Sequence, residues 1–299
     1  MVKRIFNNLE YYHNEYLSTS GQGKDWCLHF SKCTKKPKDF YSECIRAARL
    51  IYDKSTKDVY CFLSGGRDSI YMTKAFYDSG VKFKVAIMDW NGLNDHDISN
   101  ALDFCYTYGI QHEFIPFNII EFIESGQHST LSKNIGTWTH QIAPLVKAVQ
   151  TIDGNVVLGN GDPMFIPTNL FDKTKWYYFD HQILNCMNNY FSSNGIPAIS
   201  EFYRYTPELF YSFIIDKNII NLLSCSVYDT SMWRKHKYKL YEDHFSDKFS
   251  FPKYDGWETL YKTHPNIVEK CINDISDLHK DVSGEYLRSH KHLKMDLYA

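Results

Sequence analysis

The stretch CFLSGGRDSIY, residues 61–71, decides the fold. An apolar run that begins at Val59 leads into it, and helix-compatible sequence resumes directly after it. Glycines lack a Cβ, so the backbone here can approach an anion closely, and the following helix adds the positive end of its dipole. A strand that passes through such a turn into a helix predicts a phosphate cradle over residues 64–69.

Strand-like and helix-like segments alternate on both sides of this loop. The strand-like segments cover 58–63, 82–90, 110–117 and 154–162, the last of them ending in a second glycine turn. The helix-like segments cover 39–52, 68–78, 95–108, 118–126 and 140–152, and residues 127–139 form a looser connection. Asp39 is placed to cap the first helix. This alternation predicts an α/β fold with a doubly wound parallel sheet.

Beyond Pro163 the pattern changes to aromatic, helix-like segments, such as residues 176–191. We therefore expect three parts, which are an N-terminal extension over 1–38, an α/β domain over 39–165 and a mainly helical region over 166–299. Aromatic residues make up 16% of the chain and are dense in the last part, which suits the wall of a small-molecule pocket.

The composition indicates an ordinary globular protein. The net charge is −2, so charge alone favours neither nucleic acid nor an anionic membrane as a partner. No apolar run approaches the ~20 residues that span a bilayer, and the start lacks the apolar core of a signal peptide. Eight cysteines without a C-x-x-C pair favour reduced thiols over disulfides or zinc. A cytoplasmic protein is expected.

Two familiar phosphate loops are excluded, because residues 64–69 match neither G-x-x-x-x-G-K-S/T nor G-x-G-x-x-G. The stretch resembles instead the S-G-G-x-D-S loop of the PP-loop, or N-type, ATP pyrophosphatase superfamily, with Arg67 at the free position. That superfamily includes asparagine synthetase, NAD synthetase and several tRNA-modifying ligases. The resemblance implies the fold of the adenine nucleotide alpha-hydrolases, with ATP at the carboxyl edge of the sheet.

The resemblance also implies a site. Members cleave ATP between the α- and β-phosphates and transfer AMP to a substrate oxygen. The loop would hold the pyrophosphate, and the adenine would lie at the end of the second strand. The implied ATP-binding residues are Ser64, Gly65, Gly66, Arg67, Asp68, Ser69, Ile87, Met88, Asp89, Gly159 and Gly161.

Two acids and one lysine are the expected catalytic groups. Asp68 is either a helix N-cap or an Mg²⁺ ligand, and Asp162 in the second glycine turn resembles an acid of the asparagine synthetase-like members. An Asp-Pro turn is the alternative for Asp162, because Pro163 stands where those members have a second acid. Lys235, from a basic run over 234–239, is expected to bind pyrophosphate, although a solvated basic face explains the run equally well.

Four polar residues in aromatic surroundings are expected to contact the acceptor, and each could equally be a paired core or surface group. They are Asp180, His181, Arg204 and Glu208. Thr139 or Gln141 is a weaker candidate for a contact with the ribose.

The expected reaction is an AMP-forming, asparagine synthetase-like ligation of a small-molecule acceptor. Residues 1–57 are too short for a glutaminase domain, so ammonia, an amine or a separate glutaminase would supply the nitrogen. A tRNA- or nucleobase-modifying enzyme and a non-catalytic nucleotide-binding protein are the alternatives. The sequence leaves the acceptor and the oligomeric state open.

Overall fold

The computed structural model describes residues 4–5, 8–9, 11–12, 17–20, 27–168, 172–225, 230–242, 244–245, 256–278 and 285–298, some of them by their backbone alone. The strands are β1 (Arg4–Ile5), β2 (Asn8–Leu9), β3 (Tyr11–Tyr12), β4 (Leu17–Ser20), β5 (Cys27–Phe30), β6 (Val59–Phe62), β7 (Lys84–Asp89), β8 (His112–Pro116), β9 (Asn155–Leu158), β10 (Met164–Thr168), β11 (Asp172–His181), β12 (Ala198–Ile199) and β13 (Glu285–Ser289). The helices are α1 (Phe40–Lys54), α2 (Arg67–Ser79), α3 (Asp95–Tyr108), α4 (Ile119–Glu124), α5 (Gln127–Ile135), α6 (Ile142–Val149), α7 (Gln182–Ser193), α8 (Pro207–Ile214), α9 (Lys217–Leu223), α10 (Thr230–Glu242), α11 (Glu258–Thr263), α12 (Pro265–Asn273) and α13 (His290–Tyr298), with a 3₁₀ helix at Phe202–Arg204.

A parallel sheet of five strands, in the order β12-β9-β6-β7-β8, forms the centre of the described chain. The predicted doubly wound parallel sheet is therefore confirmed. The chain leaves the central strand β6 toward β7 on one side, and β9 pairs with the other side of β6. Open α/β sheets bind ligands where the strand order reverses in this way, at the carboxyl ends of the strands.

Both faces of this sheet are covered, as a parallel sheet requires. Alternate residues of β6 point to opposite faces. Cys61 packs into a core with Phe40 and Phe104, whereas Tyr60 and Phe62 pack into a second core on the other face. All four residues of β6 are buried, so the strand is held rigidly where residues 64–69 begin, a loop named the PP-loop for its sequence resemblance.

Local capping explains where the helices around the sheet begin and end. The Asp39 side chain accepts a hydrogen bond of 2.9 Å from the Ser42 N–H, which confirms it as the cap of α1. Gly80 and Gly109 adopt left-handed conformations, with φ of 75° and 63°, and end α2 and α3.

The structure differs from the expected pattern in two segments. Residues 176–181, expected to be helical, belong to β11, which pairs antiparallel with β10 and β13. Aromatic side chains such as Trp176 and Phe179 favour strands, and the helix begins only at Gln182. Residues 127–135 form α5 instead of a loop, because Leu131 and Ile135 recur at helical spacing within a polar sequence. The described part of the region after 165 is thus mainly helical, as expected, with an added antiparallel sheet of β10, β11 and β13.

The expected boundary near 165 falls between β9 and β10, but the parallel sheet takes one further strand, β12, from residues 198–199. The N-terminal part also packs onto the later region. Phe30 stacks on Phe210 with ring centroids 4.9 Å apart, and Thr34 donates two hydrogen bonds of 2.8 Å to Glu208. Among the described residues, no helix has the length and apolar character that a membrane span requires.

Candidate nucleotide-binding site

The PP-loop, residues 64–69, connects β6 to α2 in a conformation that needs glycine at one position. Gly65 has φ +79°, and a Cβ added there would lie 2.0 Å from the backbone oxygen of Asp97. The first turn of α3 therefore packs directly against the loop. Gly66, and not Asp68, is the N-cap of α2, so the capping alternative for Asp68 was wrong.

The two serines of the PP-loop bind each other and the loop backbone. Ser69 Oγ donates to the Gly66 carbonyl at 2.9 Å and accepts from the Ser64 N–H at 3.2 Å. Because this uses the single proton of Ser69, the Ser64 hydroxyl, 3.0 Å away, donates to Ser69. Ser64 Oγ in turn accepts from the Gly66 N–H at 3.3 Å. The protein itself therefore fixes the shape of the loop.

The second glycine turn, residues 159–162, lies against the start of α2. A Cβ on Gly159 would lie 2.7 Å from the Cα of Ser69. Gly161 has φ +86°, and a Cβ there would lie 2.7 Å from the Cβ of Glu201. The two glycine turns predicted from sequence thus meet at the carboxyl edge of the sheet. The contact of Gly159 with Ser69 and that of Gly161 with Glu201 both require a residue without a Cβ.

A cavity of about 560 Å³ opens over these turns. Its lining includes these residues expected to bind ATP: Ser64, Gly66, Asp68, Ser69, Ile87, Met88 and Gly159. Gln141, the weaker ribose candidate, also lines it. Asp89 is not part of the lining, and its carboxylate accepts a hydrogen bond of 2.8 Å from the Asn91 N–H.

A second cleft, of about 870 Å³, lies at the opposite, amino-terminal end of the sheet. Its lining includes Lys57 and Lys82 from the connections that lead into β6 and β7, and Lys84 at the start of β7. Parallel sheets bind ligands at the carboxyl ends of their strands, where the helix N-termini converge. The cavity over the PP-loop is therefore the candidate site, although the other cleft is larger.

One wall of the cavity, formed by Gly256 and Trp257, was not expected from the sequence. Trp257 lines the cavity and contacts Trp90 edge-on, with centroids 5.4 Å apart. The ring of His140 lies 4.6 Å from Trp257, and Glu258 lies 3.2 Å from His96. No spacing in the sequence connects positions 90 and 257, so only the fold brings these residues together.

Asn94 was also not expected from the sequence, and its side chain forms hydrogen bonds with backbone groups at the end of β7. Its amide donates to the Met88 carbonyl and accepts from the Trp90 N–H, both at 2.8 Å. The resemblance implies that an adenine would lie at this end of β7. In this structure the side chain of Asn94 already satisfies one donor and one acceptor there.

Three charged groups meet beside the PP-loop. The Lys237 ammonium donates to Asp68 Oδ1 at 2.7 Å and to Asp162 Oδ2 at 2.8 Å. The Lys237 side chain is 9% exposed, whereas Asp68 is 36% and Asp162 is 22% exposed. Tyr241 also donates to Asp68 Oδ1, at 2.8 Å, and Tyr203 donates to the Asp68 carbonyl at 2.6 Å. The two acids predicted from sequence are brought together, with a lysine between them.

That lysine is not the one expected. Lys235 is exposed on α10, whereas Lys237, two residues further on, is buried. Two residues correspond to a rotation of about 200° around a helix, so the two side chains leave opposite faces. The assignment of Lys235 to this site is therefore corrected.

Burial and charge set the protonation of this group. Burial raises the pKa of Asp68, and Asp162 adds to that effect, while Lys237 opposes it. Burial alone would lower the pKa of Lys237, but Asp162 and Asp68 raise it above its ordinary value. Lys237 is therefore charged at neutral pH.

Arg67 also contacts α10. Its guanidinium carbon lies 3.9 Å from the ring centroid of Tyr238, and its Nη1 lies 3.3 Å from Glu242. Helix α10 thus contacts the PP-loop through two pairs of side chains spaced four residues apart, Lys237 with Tyr241 and Tyr238 with Glu242.

The four residues expected to contact an acceptor do not form one pocket. Asp180 and Arg204 form a buried ion pair, with Glu201 3.5 Å from the same guanidinium nitrogen. Glu208 lies apart and binds Thr34. The side chain of His181 lies outside the described residues. Buried polar groups pair with each other, which explains why these acids satisfy an arginine instead of lining a cavity.

No family model and no curated protein matches this sequence. Among solved structures, the chain is similar to an NH3-dependent NAD synthetase from Campylobacter jejuni, at 14% identity and a TM-score of 0.34, over 80% of this chain and 94% of that one. It is similar to an NMN synthetase from Francisella tularensis, at 15% identity and a TM-score of 0.31, over 81% and 92%. It is also similar to the U34-tRNA thiolase NcsA from Methanococcus maripaludis, at 14% identity and a TM-score of 0.28, over 81% and 80%. At such identities and TM-scores these matches carry no conclusion about function, which has to be argued from the site.

Proposed function

We propose that this chain binds ATP over the PP-loop and adenylates a small-molecule acceptor, with release of pyrophosphate and later attack by a nitrogen nucleophile. One observation carries the proposal. The loop is shaped by its own serines, begins a 13-residue helix, and faces the cavity of about 560 Å³. Helix N-termini with free N–H groups attract phosphate oxygens.

The triphosphate would meet donors that already have their geometry. In the proposed complex, N–H groups at the start of α2 hold the β- and γ-phosphates, and Lys237 adds a buried positive charge beside Asp68. Fixed dipoles and charges of this kind stabilise the charge that develops on a leaving pyrophosphate, because they need no reorganisation. Arg67 is part of the same loop, and its role in holding phosphate stays a prediction.

The base would enter between apolar side chains. Ile87, Met88, Leu145 and Trp257 line the cavity on the side of β7. An aromatic and aliphatic wall suits the faces of a purine. Gln141 is placed for the ribose. The acceptor would bind next to the phosphates, and no residue for it is assigned here, because the expected set is paired or lies elsewhere.

The expected Mg²⁺ does not fit between Asp68 and Asp162 as they stand, since the Lys237 ammonium lies between the two carboxylates. Among the described residues, no group of three or more His, Cys, Asp or Glu could hold a metal. The steps proposed above therefore use only the groups of the chain.

The test compares two glycine variants in ATP binding by calorimetry. Gly65→Ala places a Cβ 2.0 Å from the Asp97 oxygen and should weaken ATP binding at least about 100-fold, because the loop must move. Gly80→Ala is the matched control, since Gly80 has a similar φ of +75° with no atom within 4 Å of the added Cβ. Equal ATP affinity in both variants would contradict the proposed site.

The reaction itself is tested by chromatography of nucleotide products with pools of small metabolites and with tRNA. AMP and pyrophosphate formed with a metabolite pool support the proposal. ADP as the main product contradicts it, and AMP formed only with tRNA assigns the acceptor to nucleic acid instead.

A further inference from the structure

We infer that Lys237 is the resident cation of the Asp68–Asp162 pair, so that the pair binds no divalent ion while Lys237 is in place. The inference rests on the geometry of the three groups and does not depend on ATP being the ligand. It concerns the charge balance of the site before any ligand binds.

The Lys237 ammonium lies between the two carboxylates. One nitrogen donates to one oxygen of each carboxylate, at 2.7 and 2.8 Å, and both distances are those of charge-assisted hydrogen bonds. Two neighbouring carboxylates repel each other, and a cation that lies between them offsets this repulsion. Lys237 supplies that cation from a third segment of the chain, α10.

Helix α10, which carries Lys237, is held in place by its packing. On the same helix, the ring of Tyr241 stacks on Tyr71 with centroids 4.2 Å apart, and its hydroxyl holds Asp68. Trp233, one turn before Lys237, is buried against Phe165 and Phe213. Displacing the ammonium by rotation of the helix would break these contacts.

Some of the carboxylate oxygens that a metal would need are already engaged by protein donors. Mg²⁺ requires near-octahedral oxygen ligands at about 2.0–2.1 Å. Here one oxygen of each acid is already used by the ammonium, and Asp68 Oδ1 also accepts from Tyr241. A divalent ion next to a fixed ammonium would also be repelled, because like charges a few ångströms apart are only weakly screened in a largely buried site.

The experiment measures the melting temperature without nucleotide, in EDTA and in millimolar Mn²⁺. Wild type should not respond to Mn²⁺. Lys237→Met should melt about 5 °C or more lower in EDTA, because it leaves two uncompensated carboxylates, and Mn²⁺ should recover at least half of that loss. The double variant Lys237→Met/Asp162→Asn should show no recovery. Lys235→Met is the matched control, since Lys235 is exposed on the same helix.

A direct binding measurement keeps the inference falsifiable if Lys237→Met does not fold. Electron paramagnetic resonance of Mn²⁺ with wild type and with Asp162→Asn should give the same bound fraction. A wild-type Mn²⁺ site that Asp162→Asn weakens about tenfold or more overturns the inference, as does a folded Lys237→Met variant with no response to Mn²⁺. Because no nucleotide is present, either result is distinguishable from a failure to bind ATP.

Discussion

Two groups of described residues that each place one cation between two carboxylates differ in their surroundings. The PP-loop group consists of Lys237 with Asp68 and Asp162. The side chains of these two acids are 36% and 22% exposed. The sealed group consists of Arg204 with Asp180 and Glu201, which are at most 5% exposed. The first group adjoins a cavity, whereas the second also binds Tyr178 and Asn188 and holds the Gly161 carbonyl.

This difference separates two uses of the same charges. In the sealed group every charge meets a protein partner, so its effect is to fix the second glycine turn to the 3₁₀ helix at 202–204. In the PP-loop group the two acids retain access to solvent and Asp68 lines the cavity, so this group contributes its charges to the candidate site. The four predictions that follow test this contrast, from the largest expected effect to the smallest.

Arg204→Met should lower the free energy of unfolding by about 3–5 kcal/mol, because it leaves Asp180 and Glu201 buried without the cation that balances their charge. Urea denaturation followed by circular dichroism measures the change. Glu201→Gln/Arg204→Met, which removes one of the two acids, should recover part of the loss. A change below about 1 kcal/mol for Arg204→Met would show that the group is not sealed.

Asp162→Asn should lower kcat for AMP formation about tenfold or more while ATP binds as tightly as before or more tightly. The variant removes a negative charge from the site of an anion, but it also removes one of the two groups that position Lys237. Calorimetry and product release measure the two quantities separately. Loss of ATP affinity with unchanged kcat would indicate that Asp162 binds the nucleotide directly.

Stability should depend on the protonation of Glu201. Burial raises the pKa of Glu201 to about 7, with Arg204 opposing and Asp180 adding to the effect. The folded state therefore holds a proton that the unfolded state has released, so the stabilisation is present at low pH and declines as pH rises toward and through 7. Between pH 5 and 8, wild type should lose stability relative to Glu201→Gln, on the order of 1 kcal/mol. Parallel pH profiles in urea denaturation would exclude this contribution.

Lys235→Met should change the free energy of unfolding by less than about 0.5 kcal/mol and leave ATP binding unchanged, because the side chain is exposed. The same assays used for Lys237→Met measure both. An effect equal to that of Lys237→Met would return the role to Lys235, as expected from the sequence.

The sequence predicted those parts of the site that are local in the chain. The strand, the two glycines and the start of α2 are consecutive, and each has its own signal. The side chains that donate to the Asp68 carboxylate, Lys237 and Tyr241, come instead from α10, more than 160 residues away. One signal was present, because Trp233, Lys237, Leu240 and Tyr241 recur at helical spacing and place Lys237 on the apolar face of α10.

Other features had no local signal. The requirement for glycine at position 65 comes from the Asp97 backbone, and the cavity wall at Trp257 depends on how the last third of the chain folds back. The pairing of Arg204 with Asp180 likewise joins a strand to a 3₁₀ helix, and neither neighbourhood encodes the other. Polar residues in aromatic surroundings therefore looked like a pocket and proved to be a packed ion pair.

The contact between Trp90 and Trp257 has an optical consequence. Both indoles line the cavity, and each absorbs and emits light according to the polarity of its surroundings. A flat aromatic base that enters beside them would change that environment directly. The protein thus contains its own fluorescent reporter, so occupancy of the cavity can be followed by unlabelled titration, and Trp257→Phe would assign the signal to this wall.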